Sequence, residues 1–373
     1  MKKQYLAIVA FSLAVQGAWA QSSVTLYGLA DVAVRFATNQ SSSSGAANRL
    51  YMTDGATTGS RWGLKGVENL GGGTSAIFVL ESGYSLATGA FGQQGQLFGR
   101  QAYVGVSNAG YGTLKFGRQY GTAFNYLVNF DPVTVGNVSP DDWEAFLLGL
   151  RFDNTVEYSN NFGPVSVEVQ RSFGNQAGSL SQGSTTAVDA IYSTGGLKVG
   201  LLAQQSKDAR GRSLLGGSVG VSYAFGNAVF DTYYIQARRD AGFTVSASNS
   251  GLPLANTSLF SNVNTAAGSG TQTAARTDHL ALIGGTYLAT PYLKLTLAGL
   301  YDWTSNVAPG KNGETGSVYG IADYLFSKRT DVYLEADYSH LSGASVTDPN
   351  SPIGTFSGKS SSIGAMVGLR TRF

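Results

Sequence analysis

The chain has 373 residues with no cysteine and two histidines, so it offers no disulfide framework, no thiolate metal site and little imidazole ligation. Its 50 glycines, 20 tyrosines and 19 phenylalanines stand against only 8 prolines, a balance that speaks against a helical protein and against a disordered linker. The formal charge of +2 comes from 25 basic and 23 acidic residues; without Lys2 and Lys3 at the start, 23 cations match 23 anions, and no overall charge favours nucleic acid.

Met1-Lys2-Lys3 is a basic start, Leu6 to Val15 an apolar run, and Ala18-Trp19-Ala20 a small-x-small cleavage site. The pattern predicts a secretory signal peptide over 1–20, its apolar run too short for a spanning helix, and a mature chain from Gln21 that forms one domain over 21–373. No later apolar run approaches the roughly 18 residues that such a helix needs.

From Val24 to Phe36 the even positions are apolar or glycine, while Asp31 and Arg35 lie on the odd face. That period of two is a strand with one greasy face. The same reading predicts strands over 59–68, 74–84, 98–107, 111–118, 151–159, 164–172, 186–194, 197–205, 214–225, 228–238, 278–288, 292–304, 316–326, 331–340 and 362–373, sixteen in all with the first. Short connections hold turn residues, as at Asn69 to Gly73, Gly195-Gly196 and Gly226-Asn227. They alternate with long ones at 38–58, 85–97, 119–150, 239–277 and 341–361. Short turns on one rim and long loops on the other describe an outer-membrane barrel.

The last segment shows the pattern at its clearest. Ile363, Ala365, Val367, Leu369, Thr371 and Phe373 share one parity, while Gly364, Gly368, Arg370 and Arg372 share the other. Phe373 is an aromatic at the periplasmic end of a strand that pairs with the first one. In lipid the apolar parity must face outward, because no water is there to solvate polar groups. The polar parity then faces a lumen that is too wide, at sixteen strands, for side chains to fill. The fold class is therefore an all-β, 16-stranded antiparallel transmembrane barrel, and it implies a water-filled pore. Tyr27, Tyr158, Tyr223, Tyr301, Tyr338 and Phe373, at strand ends, read as anchors at the membrane interfaces.

Several segments also resemble the general porins of Gram-negative bacteria, of the branch common in β-proteobacteria and Neisseria. They are Val24 to Gly28, Ser60 to Gly66 leading to Glu68 to Gly73, Phe98 to Gly105, Phe116 to Tyr120, Arg151 to Tyr158, Tyr324 to Tyr333 and Gly368 to Phe373. The resemblance spans the mature chain in the family's order. It implies a homotrimer of barrels in outer-membrane lipid and lipopolysaccharide, with no cofactor or metal and with diffusion of small hydrophilic solutes as the activity. It also implies that the third long loop, 119–150, folds inward, and that Phe373 is read by the barrel-assembly machinery. The loop's own composition agrees, since Phe124, Tyr126, Phe130, Trp143, Phe146 and Leu147 are too apolar to stand free in water.

By that likeness Arg61, Arg100 and Arg151 form the basic wall of a constriction, with Arg35, Lys65 and Lys115 also on inward parities. Asp131 matches the family's loop carboxylate, and Asp141, Asp142 and Glu144 join it by loop membership. Arg118 shares the parity of Leu114 and Phe116 and is expected at the barrel end or the trimer contact. Two departures limit the likeness. The loop reads Asp131-Pro132-Val133-Thr134-Val135-Gly136, as in neisserial relatives and not the enteric Pro-Glu-Phe-Gly-Gly, and Leu29 stands where enteric relatives carry a lysine.

Opposed rows of charge would orient water across the pore, and the excess of cations predicts weak anion selectivity, with inward Asp31, Glu81 and Glu157 opposing it. Three other readings compete. A substrate-specific channel would need the same barrel. A surface adhesin would use the Ser/Thr/Asn-rich loops 239–277 and 341–361. A barrel hydrolase would need a nucleophile and a base, for which Asp278-His279 and His340 are the only prompts, and neither has a motif around it.

Overall fold

The structure is a computed structural model that describes residues 23–55, 57–137, 147–243, 273–348, 351 and 353–373. The predicted signal peptide, Asp141, Asp142, Glu144, Trp143 and Phe146 lie outside the described residues. Strands β1 (Ser23–Ser42), β2 (Gly45–Asp54), β3 (Arg61–Gly71), β4 (Thr74–Gly83), β5 (Gln101–Asn108), β6 (Gly112–Tyr120), β7 (Arg151–Phe162) and β8 (Val165–Ser172) are followed by β9 (Thr185–Thr194), β10 (Leu197–Lys207), β11 (Ser213–Phe225) and β12 (Ala228–Arg239). Then come β13 (Arg276–Thr290), β14 (Leu293–Ala308), β15 (Lys311–Leu325), β16 (Thr330–Gly343) and β17 (Ser361–Arg372). All pairings are antiparallel, and each strand from β3 onward pairs with the next in sequence.

Seventeen strands make sixteen staves because β2 and β3 are two halves of one. β1 pairs through Ser23 to Leu29 with β3 and through Val32 to Ser42 with β2. The expected loop 38–58 is thus mainly a hairpin, whose Ser41 to Ser44 run reads as loop but serves as strand end and turn. In the same way β14 and β15 run past their expected ends to a tight turn at Pro309-Gly310, so that stave rises higher on the loop side. The opposite rim keeps short turns throughout. At Gly195 φ is +55°, the left-handed region that a two-residue hairpin turn requires and that glycine enters without strain.

Closure uses the C-terminal strand. β1 and β17 pair from Leu29↔Arg372 to Ala37↔Gly364, and Gly28 and Phe373 exchange two backbone hydrogen bonds of 3.0 Å. The Phe373 ring lies over Gly28, where an added Cβ would meet its Cζ at 2.2 Å. Ile363, Val367, Leu369 and Phe373 are about half exposed on the outward face, while Met366 and Arg370 on the alternate face are buried. The amphipathic period of the sequence is therefore the inside–outside alternation of the wall.

The third loop lies inside the barrel. Leu201 and Val219 are exposed outward, so Gly200 and Gly220 face the lumen, and an added Cβ at either would meet the Phe130 ring at 2.6 or 2.5 Å. Leu148 fills the space over Gly216 in the same way. The short helix α1 (Thr122–Leu127) opens the loop and carries Tyr126, whose hydroxyl donates to the Gly200 carbonyl at 2.8 Å. Six residues are too few for a helix to hold by propensity, so packing holds this one. Burial in this apolar bed raises the Tyr126 phenol above its ordinary pKa and keeps it protonated as a donor.

That bed corrects the expectation of a uniformly polar lumen. Leu202, Leu214, Ile235, Leu280, Leu282 and Leu300 are buried on the inward parity, in one cluster with Tyr126, Leu127, Phe130, Leu147 and Leu148. These staves carry apolar residues on both faces because lipid covers one and the loop covers the other. Each such side chain contributes about 1.5–3 kcal/mol when taken from water.

Candidate functional site

The functional site builds up around one buried carboxylate and one phenol. β4 brings Glu81 inward, almost fully buried, and β6 ends on Tyr120. Arg100 donates through Nε to Glu81 Oε1 at 2.8 Å and through Nη2 to the Tyr120 hydroxyl. Arg151 donates to that same hydroxyl at 3.0 Å, and its guanidinium lies 4.4 Å from the Tyr120 ring centroid. Arg61 approaches Glu81 Oε2 at 3.6 Å and anchors on the Gly59 carbonyl at 3.1 Å. Tyr27 completes the ring of donors with a 3.0 Å bond to Glu81. Tyr120 itself is held by stacking on Phe124 of α1, with centroids 4.2 Å apart.

Three guanidinium groups thus gather around one carboxylate and one phenol, Arg61 and Arg100 on Glu81 and Arg100 and Arg151 on Tyr120, leaving the site strongly positive. They line a cavity of about 260 Å³ whose other side is loop residues Val133 to Asn137. Among the described residues no carboxylate lines it. Cation–π contact and a shared hydroxyl let Arg100 and Arg151 sit side by side at a cost smaller than bare like charges would carry.

The break between β2 and β3 fixes the opposite edge. Asp31 accepts from the Thr57 N–H at 3.0 Å, the Thr57 hydroxyl at 2.7 Å, the Thr58 N–H at 2.8 Å and the Tyr333 hydroxyl at 2.6 Å. Arg370 donates to both threonine hydroxyls while pairing with Asp323 and Asp331. The loop joins this anchor where the Asn137 N–H donates to the Thr57 carbonyl at 3.2 Å.

Three of the six expected cations therefore meet, and three do not. Arg35 lies six residues along β1 from Leu29, the partner of Arg61, or ~20 Å at strand rise, and is paired with Glu335 and Asp337 at 3.1 and 2.6 Å. Lys115 pairs with Glu157 near the short-turn rim, and Lys65 sits over the Tyr27 ring on the same side of the cluster. Inward parity placed these correctly on the lumen face but says nothing of height along the stave.

Asp131 is turned into its own loop, buried, and accepts from the backbone N–H groups of Val133 at 2.8 Å and Val135 at 3.1 Å. Tyr27, expected as an interface anchor, faces the lumen. Arg118 is held in a buried pair with Asp153 at 2.6 Å and donates to the Gly99 carbonyl, beside Arg100, at 2.7 Å. Sequence reasoning missed Tyr120 and the Thr57-Thr58-Gly59 break. A β-bulge at Gly117, φ +133°, interrupts the alternation before Tyr120, so parity counting fails there.

The family model of Gram-negative porins matches residues 6–344. The chain belongs to that family. An outer membrane porin protein of Bordetella pertussis is 37% identical over 174 residues, which are 43% of this chain and 43% of that protein. Outer membrane porin protein 32 of Delftia acidovorans is 30% identical over 65% of this chain and 72% of that protein. The major outer membrane protein P.IB of Neisseria meningitidis is 29% identical over 48% of this chain and 51% of that protein. The chain thus spans about half or less of the length of two of these three relatives.

Among solved structures, the anion-selective porin from Comamonas acidovorans superposes with a TM-score of 0.72 at 20% identity, covering 95% of this chain and 100% of that one, a likeness of fold. Porins are outer-membrane β-barrel channels and not enzymes, and the residues that prompted a hydrolase reading have structural occupations. Asp278 holds Arg239 and Arg276 at 2.9 and 2.8 Å. His279 meets the Tyr234 hydroxyl at 2.7 Å and stacks on Trp303.

Proposed function

We propose that this porin is a general diffusion channel for ions and small hydrophilic solutes with a weak preference for anions. The observation that carries the reading is the gathering of Arg61, Arg100 and Arg151 around Tyr120 and the single carboxylate of Glu81, which pairs with Arg61 and Arg100 while Arg151 bonds the Tyr120 hydroxyl, beside the seated third loop. A positive narrow point lowers the energy of a passing anion and raises that of a cation. A wall of fixed polar groups also disfavours apolar solutes, which must displace oriented water. The solved relative described as anion-selective supports the same sign. The test is the reversal potential across a planar bilayer under a KCl gradient: an anion-side potential with ohmic, non-saturating current is expected. Cation preference overturns the sign, and saturable block by one solute favours a substrate-specific channel.

Three further assignments belong to this reading. Residues 1–20 are an export signal removed before insertion. The assembled state is a homotrimer, as in the trimer form solved for OmpT of Vibrio cholerae. Phe373 is the residue by which the assembly machinery recognises the closing strand. Deleting Phe373 is expected to lower the outer-membrane yield of folded barrel severalfold, and Gly28→Leu, which fills the ring's place, to lower it in the same direction. The measurement is the fraction that shifts mobility on heating before electrophoresis. Full yield in the deletion would remove the assignment.

A further inference from the structure

A second cavity lies at the short-turn rim, away from the arginine cluster. It measures about 400 Å³ and is bounded by the β5–β6 turn, the ends of β7 and β8, the middle of β9 and the underside of the loop helix. Its charged lining residues are Glu168 and Asp189 alone; the remaining polar ones are asparagines, serines and Thr113. Every lining group is thus anionic or neutral, the reverse of the constriction.

The two carboxylates sit directly opposite each other in the β8–β9 register, both on the inward parity between outward Val169 and Val188. Like charges at such a position repel and weaken a strand pair unless something neutralises them. Asn125 donates to both Glu168 oxygens at 3.1 and 3.0 Å. Asp189 has no such help. It is 5% exposed, lines the cavity, and makes no hydrogen bond or ion pair to a side chain among the described residues, with only the Glu168 backbone N–H beside it.

Two lysines border the cavity without forming an ion pair with Asp189 or Glu168: Lys115 pairs with Glu157 and acts on Glu168 from there, and Lys198 donates to the side-chain oxygen of the lining residue Asn129 at 3.1 Å. A buried carboxylate facing open space is a group that a ligand cation satisfies. The lining suits an ammonium better than a metal ion. Among the described residues no group of three acidic or imidazole side chains could hold a metal. Amide and hydroxyl oxygens around two carboxylates, by contrast, match the three N–H donors of a primary amine.

We propose that this cavity is a binding site for small primary-ammonium cations, entered from the periplasmic mouth, with Asp189 and Glu168 as the charged contacts and Asn125 linking the site to the loop helix. It stands apart from the ion preference of the constriction and can hold or fail independently. The probe is putrescine, titrated calorimetrically into the full-length protein in detergent and, separately, added to one side of a bilayer. Wild-type protein is expected to bind it, and Asp189→Asn and Glu168→Gln each to weaken the dissociation constant about tenfold or more.

Block is expected at lower concentration from the short-turn side. No binding by the wild type, binding unchanged in both variants, or equal potency of magnesium ion overturns the site. Heat-modifiable migration verifies that each variant is folded, and Glu168→Asp, which keeps the charge, should bind more tightly than Glu168→Gln. A channel that conducts without binding putrescine refutes the site and leaves the pore standing. A protein that binds but does not conduct does the opposite.

Discussion

Arg151→Gln should move the reversal potential in a KCl gradient toward the cation side, and Glu81→Gln should move it the other way. The signs follow from the charges, and the sizes from Coulomb's law. A unit charge at roughly 10 Å from a permeating ion contributes about 0.4 kcal/mol in bulk water and about 1.7 kcal/mol at an effective dielectric of 20. That is about a twofold to fifteenfold change in the permeability of each ion, opposite in direction for anion and cation, the upper value applying where the narrow point excludes bulk water.

Arg151 is the informative choice. Its described partner is the Tyr120 hydroxyl and no carboxylate, so its removal takes away a charge without stranding an opposite one. Arg100→Gln is the contrasting case. It leaves Glu81, almost wholly buried, with Arg61 at 3.6 Å and the Tyr27 hydroxyl at 3.0 Å, and breaking such a pair costs about 3–5 kcal/mol. Arg100→Gln should therefore lower folded yield as well as selectivity, and Arg151→Gln selectivity alone. Equal potentials in the wild type and both single variants would separate the cluster from ion preference. Higher salt should shrink every shift, since the Debye length is only about 10 Å at 0.1 M.

Most of the barrel was legible because a lipid-facing wall imposes the strictest alternation a sequence can carry. Ile363 to Phe373 reads outward at every odd position, and the structure exposes Ile363, Val367, Leu369 and Phe373. Legibility fails where a second covering replaces water. Leu202, Leu214 and Leu280 face inward yet are apolar, because the third loop hides them, and single-strand periodicity cannot announce a loop from elsewhere in the chain.

The site was half legible for a related reason. Parity tells which face a residue lies on, so Arg61, Arg100 and Arg151 were within reach. Height along a stave depends on register between strands, which set Arg35 and Lys115 into wall pairs with Glu335, Asp337 and Glu157. Bulges defeat parity outright: one at Gly117 precedes Tyr120, and Asn154 adopts φ +53° just after Arg151. The cluster forms where two strands depart from regular pairing, and a rule built on regular strands loses it there.

Enlarging the two glycines under Phe130 should widen the pore. Gly200 and Gly220 belong to adjacent staves and offer the ring a shallow bed; an added Cβ would come within 2.6 and 2.5 Å of it. A side chain there cannot be absorbed by a small shift, because the ring is wholly buried and the wall behind it is hydrogen-bonded sheet. Overpacking of this kind costs about 1–3 kcal/mol at each site. The wall is held by two full ladders, whereas the loop is held by this packing and a few bonds, among them Tyr126 to the Gly200 carbonyl and Gln204 to the Leu148 carbonyl. The strain should therefore fall on the loop.

Gly200→Val with Gly220→Val is expected to give a well-inserted barrel of higher and noisier single-channel conductance, and faster swelling of liposomes in larger sugars. Phe130→Ala approaches the same end differently: it empties the bed, costs about 3–5 kcal/mol of local packing, and should release the loop without any clash. Agreement between the two would tie conductance to the loop's seat and not to damage of the wall. Arg151 offers an internal control, because its partner Tyr120 stacks on Phe124 in the same loop. Loosening the loop should then weaken anion preference as it raises conductance, whereas a pore narrowed by the wall alone would leave both unchanged.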